Sequence, residues 1–195
     1  MLTEIRNALR PALSLLVLAT LLLGIAYPLA ITGIAQLAFP AQANGSLVTD
    51  GDRVVGSSLI GQSFTGAPYF HSRPSAAGDG YDASASAASN LAPGSQDLRD
   101  RIADDVAKVR AEGLTGANVP PDLVTTSASG LDPHISPEAA FVQAQRVAAA
   151  RGVEVETVNA LIERHVDEPL LGFVGERRVN LLALNMALDR EDIRQ

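Results

Sequence analysis

The side chains best suited to chemistry fall in two short segments, His71 with Arg73, and Ser127, Ser129, Asp132 and His134. A serine, a histidine and an aspartate are the parts of a nucleophilic hydrolase, in which the histidine takes the serine proton and the acid orients the ring. Two histidines and an aspartate also make a donor set for a metal ion. Neither spacing is diagnostic, because such sites are defined by geometry and not by sequence order. Asp132-Pro133-His134 also precedes Ser136-Pro137-Glu138, a helix-start pattern, and polar residues before a helix commonly make turns. His165 sits at a helix end, where its role is to complement the dipole.

Other chemistries are excluded by what the chain lacks. The sequence has a single lysine, Lys108, and no Gly-x4-Gly-Lys-Ser/Thr loop, Asp-Lys-Thr-Gly, Gly-x-Ser-x-Gly or His-Glu-x-x-His. Phosphate-binding loops, serine elbows and zinc helices of those kinds are therefore absent. With no cysteine, there is no disulfide framework and no thiolate site.

The elements that must position these residues follow from periodicity. Asn44-Gly45 and Asp50-Gly51 mark turns between short apolar pieces, Leu47-Val48, Val54-Val55, Leu59-Ile60 and Tyr69-Phe70, a strand-and-turn pattern. Residues 75–95 are rich in Ser, Ala, Gly and Asn and are expected to form a long surface loop. Leu98, Ile102, Val106 and Val109 share one face of a helix predicted over Asp97–Glu112, with Ser95 as N-cap and Gly113 just past its end. Leu123–Thr126 reads as a buried strand. Ser136-Pro137-Glu138 opens a helix to Arg151 that Gly152 ends. Further helices are expected over Glu154–His165 and about Arg177–Arg190, the last with Leu181, Leu184 and Leu188 on one stripe. Strands mostly precede helices, which predicts a single α+β domain.

Ahead of that domain, Pro11–Thr49 runs 39 residues without Asp, Glu, Lys, Arg or His. A hydrocarbon core about 30 Å thick needs roughly 20 helical residues, so this stretch predicts one transmembrane helix over residues 11–37. Ala41-Gln42-Ala43 fits a signal-cleavage pattern, but the apolar run greatly exceeds the roughly 7–15 residues of a signal core. Retention is the expectation. Arg6 and Arg10 precede the helix and the next cation is Arg53. The positive-inside rule then puts residues 1–10 in the cytoplasm and residues 38–195 outside. Gly24, Pro28 and Thr32 recur every four residues, as small residues do where a second helix approaches. Pro28 is expected to kink the helix by freeing the Gly24 carbonyl.

The whole chain carries a formal charge of −7. Without Glu4, Arg6 and Arg10 the remainder holds 21 acidic and 13 basic side chains, a balance of −8. That balance opposes nucleic-acid binding, which needs a basic footprint.

Several separate stretches resemble the C subunit of the Kdp potassium-transporting ATPase. They are Arg10–Leu13, Gln42–Leu47, Gly56–Phe64, Tyr69–Ala76, Asp122–Asp132 and Val179–Asn185. The resemblance implies a non-catalytic accessory subunit in the bacterial inner membrane, anchored by an uncleaved single span in the lipid bilayer, with a periplasmic domain. Its implied partners are an ion-translocating A subunit, an ATP-hydrolysing B subunit and a small F subunit. The complex imports potassium with ATP, and the C subunit supports assembly and the B subunit's affinity for ATP. The resemblance implies no intrinsic cofactor and a nucleotide contact at Ser86, Ser89 and Asn90. Those residues stand where the family has Ser-Gly-Gly-Ser-Asn. Here Ala87 and Ala88 replace both glycines, which opposes close backbone approach to a phosphate. The rival reading is a membrane-anchored extracytoplasmic hydrolase using Ser127, His71 or His134.

Overall fold

A computed structural model describes residues 2–114 and 119–190. The chain divides into two compact units, Met1–Leu47 and Val48–Gln195.

The first unit is helical. Helix α1 (Leu2–Ala19), a π segment (Thr20–Ala26) and helix α2 (Tyr27–Ala38) follow one another directly, and a single turn, α3 (Pro40–Ala43), comes after Phe39. Pro28 cannot donate the backbone bond that an α-helix would need at that point. The turn before it has opened to π geometry, with the Tyr27 N–H reaching back to the Leu22 carbonyl. The expected disturbance at Pro28 is therefore a local widening of the hydrogen-bond ladder. Among the described residues one helix is long and apolar enough to cross a membrane, Thr3–Ala38, and none of its most apolar window is buried.

The second unit begins with a two-stranded sheet, β1 (Leu47–Asp50) and β2 (Arg53–Ser57), joined at Asp50-Gly51. Residues 58–95 hold no regular element longer than a turn. Helix α4 (Gln96–Ala111) starts where Ser95 caps it, its Oγ accepting from the Leu98 N–H at 3.2 Å. Gly113, at φ +88°, ends it, a left-handed backbone that glycine adopts at little cost. Helices α5 (Pro137–Arg151) and α6 (Val155–Arg164) follow, and α7 (Leu181–Arg190) closes the described chain. Ser136 caps α5 through the Ala139 N–H at 3.0 Å, and Gly152 (φ +70°) ends it.

The core lies where α5, α6 and α7 meet. Ala139, Ala140, Ala144, Val147 and Ala148 of α5 join Val158, Leu161 and Ile162 of α6 and the Leu181, Leu184, Leu188 stripe of α7. Alanines on the buried face of α5 leave room for α6 to approach closely. Each buried leucine or isoleucine contributes about 1.5–3 kcal/mol relative to exposure.

Several sequence expectations differ from the structure. Leu59-Ile60 and Tyr69-Phe70, expected as strand pieces, lie in irregular chain, Ile60 making only an isolated bridge to Ser57. Leu123–Thr126 is no strand. Pro120-Pro121 starts a 3-10 turn, Pro121–Leu123, closed by Val124 N–H donating to the Pro121 carbonyl at 3.1 Å. The turn uses the Leu123 and Val124 N–H groups on the Pro120 and Pro121 carbonyls, so they cannot join a ladder, although both side chains are buried as expected. The order of elements also differs. A three-stranded antiparallel sheet is assembled late, as β3 (His134–Ile135), β5 (Arg178–Asn180) and β4 (Val166–Asp167), with β5 central. Residues 178–180, expected within the last helix, are therefore a strand. Val179 is fully buried between both neighbours. The architecture is α+β with helices and short strands interleaved.

Candidate functional site

Segment 67–73 carries His71 and Arg73; it leaves a turn closed by the Tyr69 N–H on the Gly66 carbonyl and belongs to no sheet. Side chains of α5 and α7 replace the missing ladder. The Asn185 amide accepts from the Phe70 N–H at 2.9 Å and donates to the Phe70 carbonyl at 3.0 Å. Gln143 treats the next residue the same way, accepting from the His71 N–H at 2.7 Å and donating to the His71 carbonyl at 3.1 Å. Arg146 donates to the Ala67 and Tyr69 carbonyls, and Arg151 to the Pro68 carbonyl at 2.8 Å. Phe70, Gln143 and Asn185 are all almost completely buried, where an unpaired backbone group would cost about 1–3 kcal/mol. Burial lowers the pKa of the Arg146 guanidinium against the attraction of Glu112.

Held in this way, His71 points at Glu112. Its Nδ1 lies 2.9 Å from the Glu112 carboxylate and its Nε2 3.1 Å from the Gly66 carbonyl. Both ring nitrogens face acceptors already. Arg73 reaches the other polar segment, its Nη1 donating to Asp132 at 2.9 Å. The second Asp132 oxygen accepts from the His134 backbone N–H at 3.0 Å, and the His134 ring lies 3.5 Å from it. Burial opposes the Asp132 charge, but the His134 hydrogen bonds and the Arg73 guanidinium outweigh it and hold its pKa below the ordinary carboxylate value.

Ser75 ties the loop that follows. Its hydroxyl donates to the Gly130 carbonyl at 2.6 Å and accepts from the Ala77 and Tyr81 backbone N–H groups. The Tyr81 hydroxyl donates to the Arg73 carbonyl at 2.8 Å, and burial raises its pKa. Gly130, at φ +67°, passes so close that an added Cβ would lie 2.7 Å from both the Ala77 nitrogen and the Ala87 oxygen.

The structure therefore brings Arg73, Asp132 and His134 together and puts His71 in a separate pair with Glu112. Ser127 and Ser129 shape their own turn, accepting from the Gly130 and Leu131 N–H groups. Among the described residues neither serine contacts a histidine, and no three His, Asp or Glu side chains are grouped to hold a metal. His165 hydrogen-bonds the Leu161 carbonyl at the end of α6.

Of the residues in loop 75–95, Ser86 donates to the Ser129 carbonyl at 2.9 Å. Asn90, at φ +51°, bonds the Ala88 carbonyl. Ser89 lines a cavity of about 550 Å³ with Ser72, Arg73, Arg101, Lys108 and Glu112. Lys108 there is paired with Asp105 at 3.1 Å. Arg101 donates to Thr126, while its buried Nε has no hydrogen-bond partner among the described residues. The loop is thus pinned along one side and open on another.

Sequence reasoning missed Gln143, Asn185, Arg146 and Arg151. A signal was present. Asn185 interrupts the leucine stripe of α7, four residues after Leu181, and Gln143 interrupts the alanine face of α5. An amide on a buried stripe needs partners, and each found the backbone of 70–71.

Helices around a short sheet, polar side chains spent on internal ties and one helix long and apolar enough to span a membrane define an α+β protein with a candidate membrane span. Residues 9–190 match the family described as K+-transporting ATPase, c chain. A potassium-transporting ATPase KdpC subunit of Caulobacter vibrioides is 61% identical over 182 residues, 93% of this chain and 92% of that protein. KdpC subunits of Myxococcus xanthus and Mycobacterium bovis are 57% and 53% identical, covering 92% and 95% of this chain and 86% and 99% of their own lengths. The chain belongs to the KdpC family of potassium-transporting ATPase subunits.

Proposed function

We propose that the chain is a non-catalytic accessory subunit that anchors in the bacterial inner membrane through residues 11–37. Its domain lies on the periplasmic side and docks there on the other Kdp subunits, the ion-translocating A, the ATP-hydrolysing B and the small F. The observation that carries this reading is the exposure of the Thr3–Ala38 helix along its length. Such a surface is stable only in lipid or against other membrane helices. The two arginines before the helix support the orientation.

The test is purification of the tagged full chain from membranes in mild detergent. Co-elution of the companion subunits is expected, and elution alone overturns the reading. Because the chain has no cysteine, Ala92→Cys supplies a single thiol on the exposed loop. A membrane-impermeant maleimide should label it in spheroplasts without lysis. Labelling only after lysis reverses the topology.

The resemblance also implies a role in raising the B subunit's affinity for ATP with contact through Ser86, Ser89 and Asn90, a reading that the periplasmic placement of this loop opposes because ATP is scarce outside the cell. Its support is the resemblance, together with Ser89 beside Arg101 and Lys108 on the cavity wall. Equilibrium dialysis of the full chain against labelled ATP decides it, and no binding at millimolar ATP removes the direct contact.

A further inference from the structure

The connection between β4 and β5 is organised opposite to a normal surface turn. Leu170, Leu171, Phe173 and Val174 are 69%, 78%, 77% and 50% exposed. The turn is closed by two backbone bonds, Leu170 N–H to the Val174 carbonyl at 3.1 Å and Val174 N–H to the Leu170 carbonyl at 2.9 Å. Leu171 sits at φ +57°, a left-handed backbone that a branched side chain adopts only at some cost. Glycine or asparagine would relieve that strain and leave less apolar surface exposed. The chain instead presents large apolar side chains on a tip closed by two backbone bonds, which lowers the conformational entropy left to lose on binding.

The surroundings of the tip narrow what covers it. Arg177 pairs with Glu168 at 3.0 Å and Arg178 with Asp167 at 3.7 Å, and Glu176 adds a third acid. Segments that rest at either membrane interface are marked by Trp and Tyr, and residues 167–178 have neither. This rim has three acids to two arginines. An apolar centre inside a mixed-charge rim is the anatomy of a protein–protein contact. The four side chains expose on the order of 500 Å², short of the roughly 800 Å² per partner buried in a stable free association, so the tip does not by itself hold a second copy of this chain. It suits a partner kept nearby by another attachment, since tethering makes a small contact effective. Only residues 39–46 separate the span helix from β1.

We propose that the β4–β5 turn is a knob that seats Leu171 and Phe173 in an apolar pocket of another subunit of the same complex. This rests on the accessory-subunit reading above. The knob adds a contact outside the span, and its rim charges fix its register.

The test uses the full complex in detergent with Phe173→p-benzoylphenylalanine, irradiated before electrophoresis. A covalent adduct with another subunit is expected, at least five-fold stronger than with the same photoprobe replacing Leu59, which is exposed and outside the turn. The double variant Leu171→Ser, Phe173→Ser should retain the native melting temperature of the chain. Its recovery with the complex after extended washing should fall at least five-fold. Adducts with lipid alone, or no adduct in an intact complex, overturn the knob and leave the accessory reading standing. A wild-type chain that purifies without companions overturns both.

Discussion

Replacing Asn185 by leucine isolates the side-chain tie that holds segment 67–73. Leucine has nearly the volume of asparagine plus a methyl group and suits the stripe formed by Leu181, Leu184 and Leu188. It cannot accept from the Phe70 N–H or donate to the Phe70 carbonyl, bonds of 2.9 and 3.0 Å in the native protein. Phe70 is fully buried, so water cannot replace them. Two unsatisfied groups cost about 2–6 kcal/mol together, and the added apolar surface returns roughly 1 kcal/mol. A net loss of about 1–5 kcal/mol lowers the melting temperature by roughly 2–20 °C in a domain of this size. Differential scanning calorimetry of the full chain in micelles reads the domain transition. Ala183→Leu, on the exposed face of the same helix, is the control for adding a leucine and should shift it little. An Asn185→Leu protein melting within about 2 °C of native would refute the view that side-chain amides, and not packing alone, hold this segment.

Three further outcomes follow from named contacts. Gly61→Ala should destabilise the domain by about 1–3 kcal/mol, since its Cβ would lie 2.5 Å from the Asp132 carbonyl oxygen and 2.6 Å from the Tyr81 ring. Chemical denaturation checks it, and an unchanged midpoint contradicts the close approach. The lowered pKa of Asp132 means that its carboxylate stabilises the fold above the unfolded value and loses that contribution as pH falls through the lower folded value. Asp132→Asn should therefore flatten the fall in melting temperature below about pH 4, and an unaltered acid limb would count against it. Ser136→Ala removes the α5 cap and the hydroxyl bond to Asp122, and should cost about 1–2 kcal/mol, measured as a shifted denaturation midpoint.

What sequence showed and what it hid divides along the range of the interactions. The capped helices α4 and α5 were legible because their signals are local: Ser95 and Ser136 before them, Gly113 and Gly152 after them. The apolar stretch around Leu13–Leu37 was legible from length alone. The strand at Arg178–Asn180 was not, because Leu181, Leu184 and Leu188 continue a helical stripe just beyond it. The pairing of Val179 with both Ile135 and Val166 is tertiary. Leu123–Thr126 has strand composition, but the Pro120-Pro121 pair imposes a turn. At the candidate site, Arg73 with Asp132 was grouped from residue type. The Ser127 alternative is not favoured, since both serines accept from their own turn and neither hydrogen-bonds a histidine among the described residues. The exposed Leu171 and Phe173 were passed over because they flank Gly172 just after Pro169, residue types that mark a break between elements and say nothing of exposure.

The tie between Phe70 and Asn185 also sets a timetable. The two residues are 115 positions apart, and at about 5–20 residues per second a ribosome needs roughly 6–23 s to make the chain between them. Throughout that interval the backbone of Phe70 has only water for a partner, while the N-terminal helix, made earlier, is already free to enter the bilayer. The domain therefore completes its structure late. A delay in making the last helix would extend the period in which segment 67–73 is open to a protease or to a neighbouring unfinished chain.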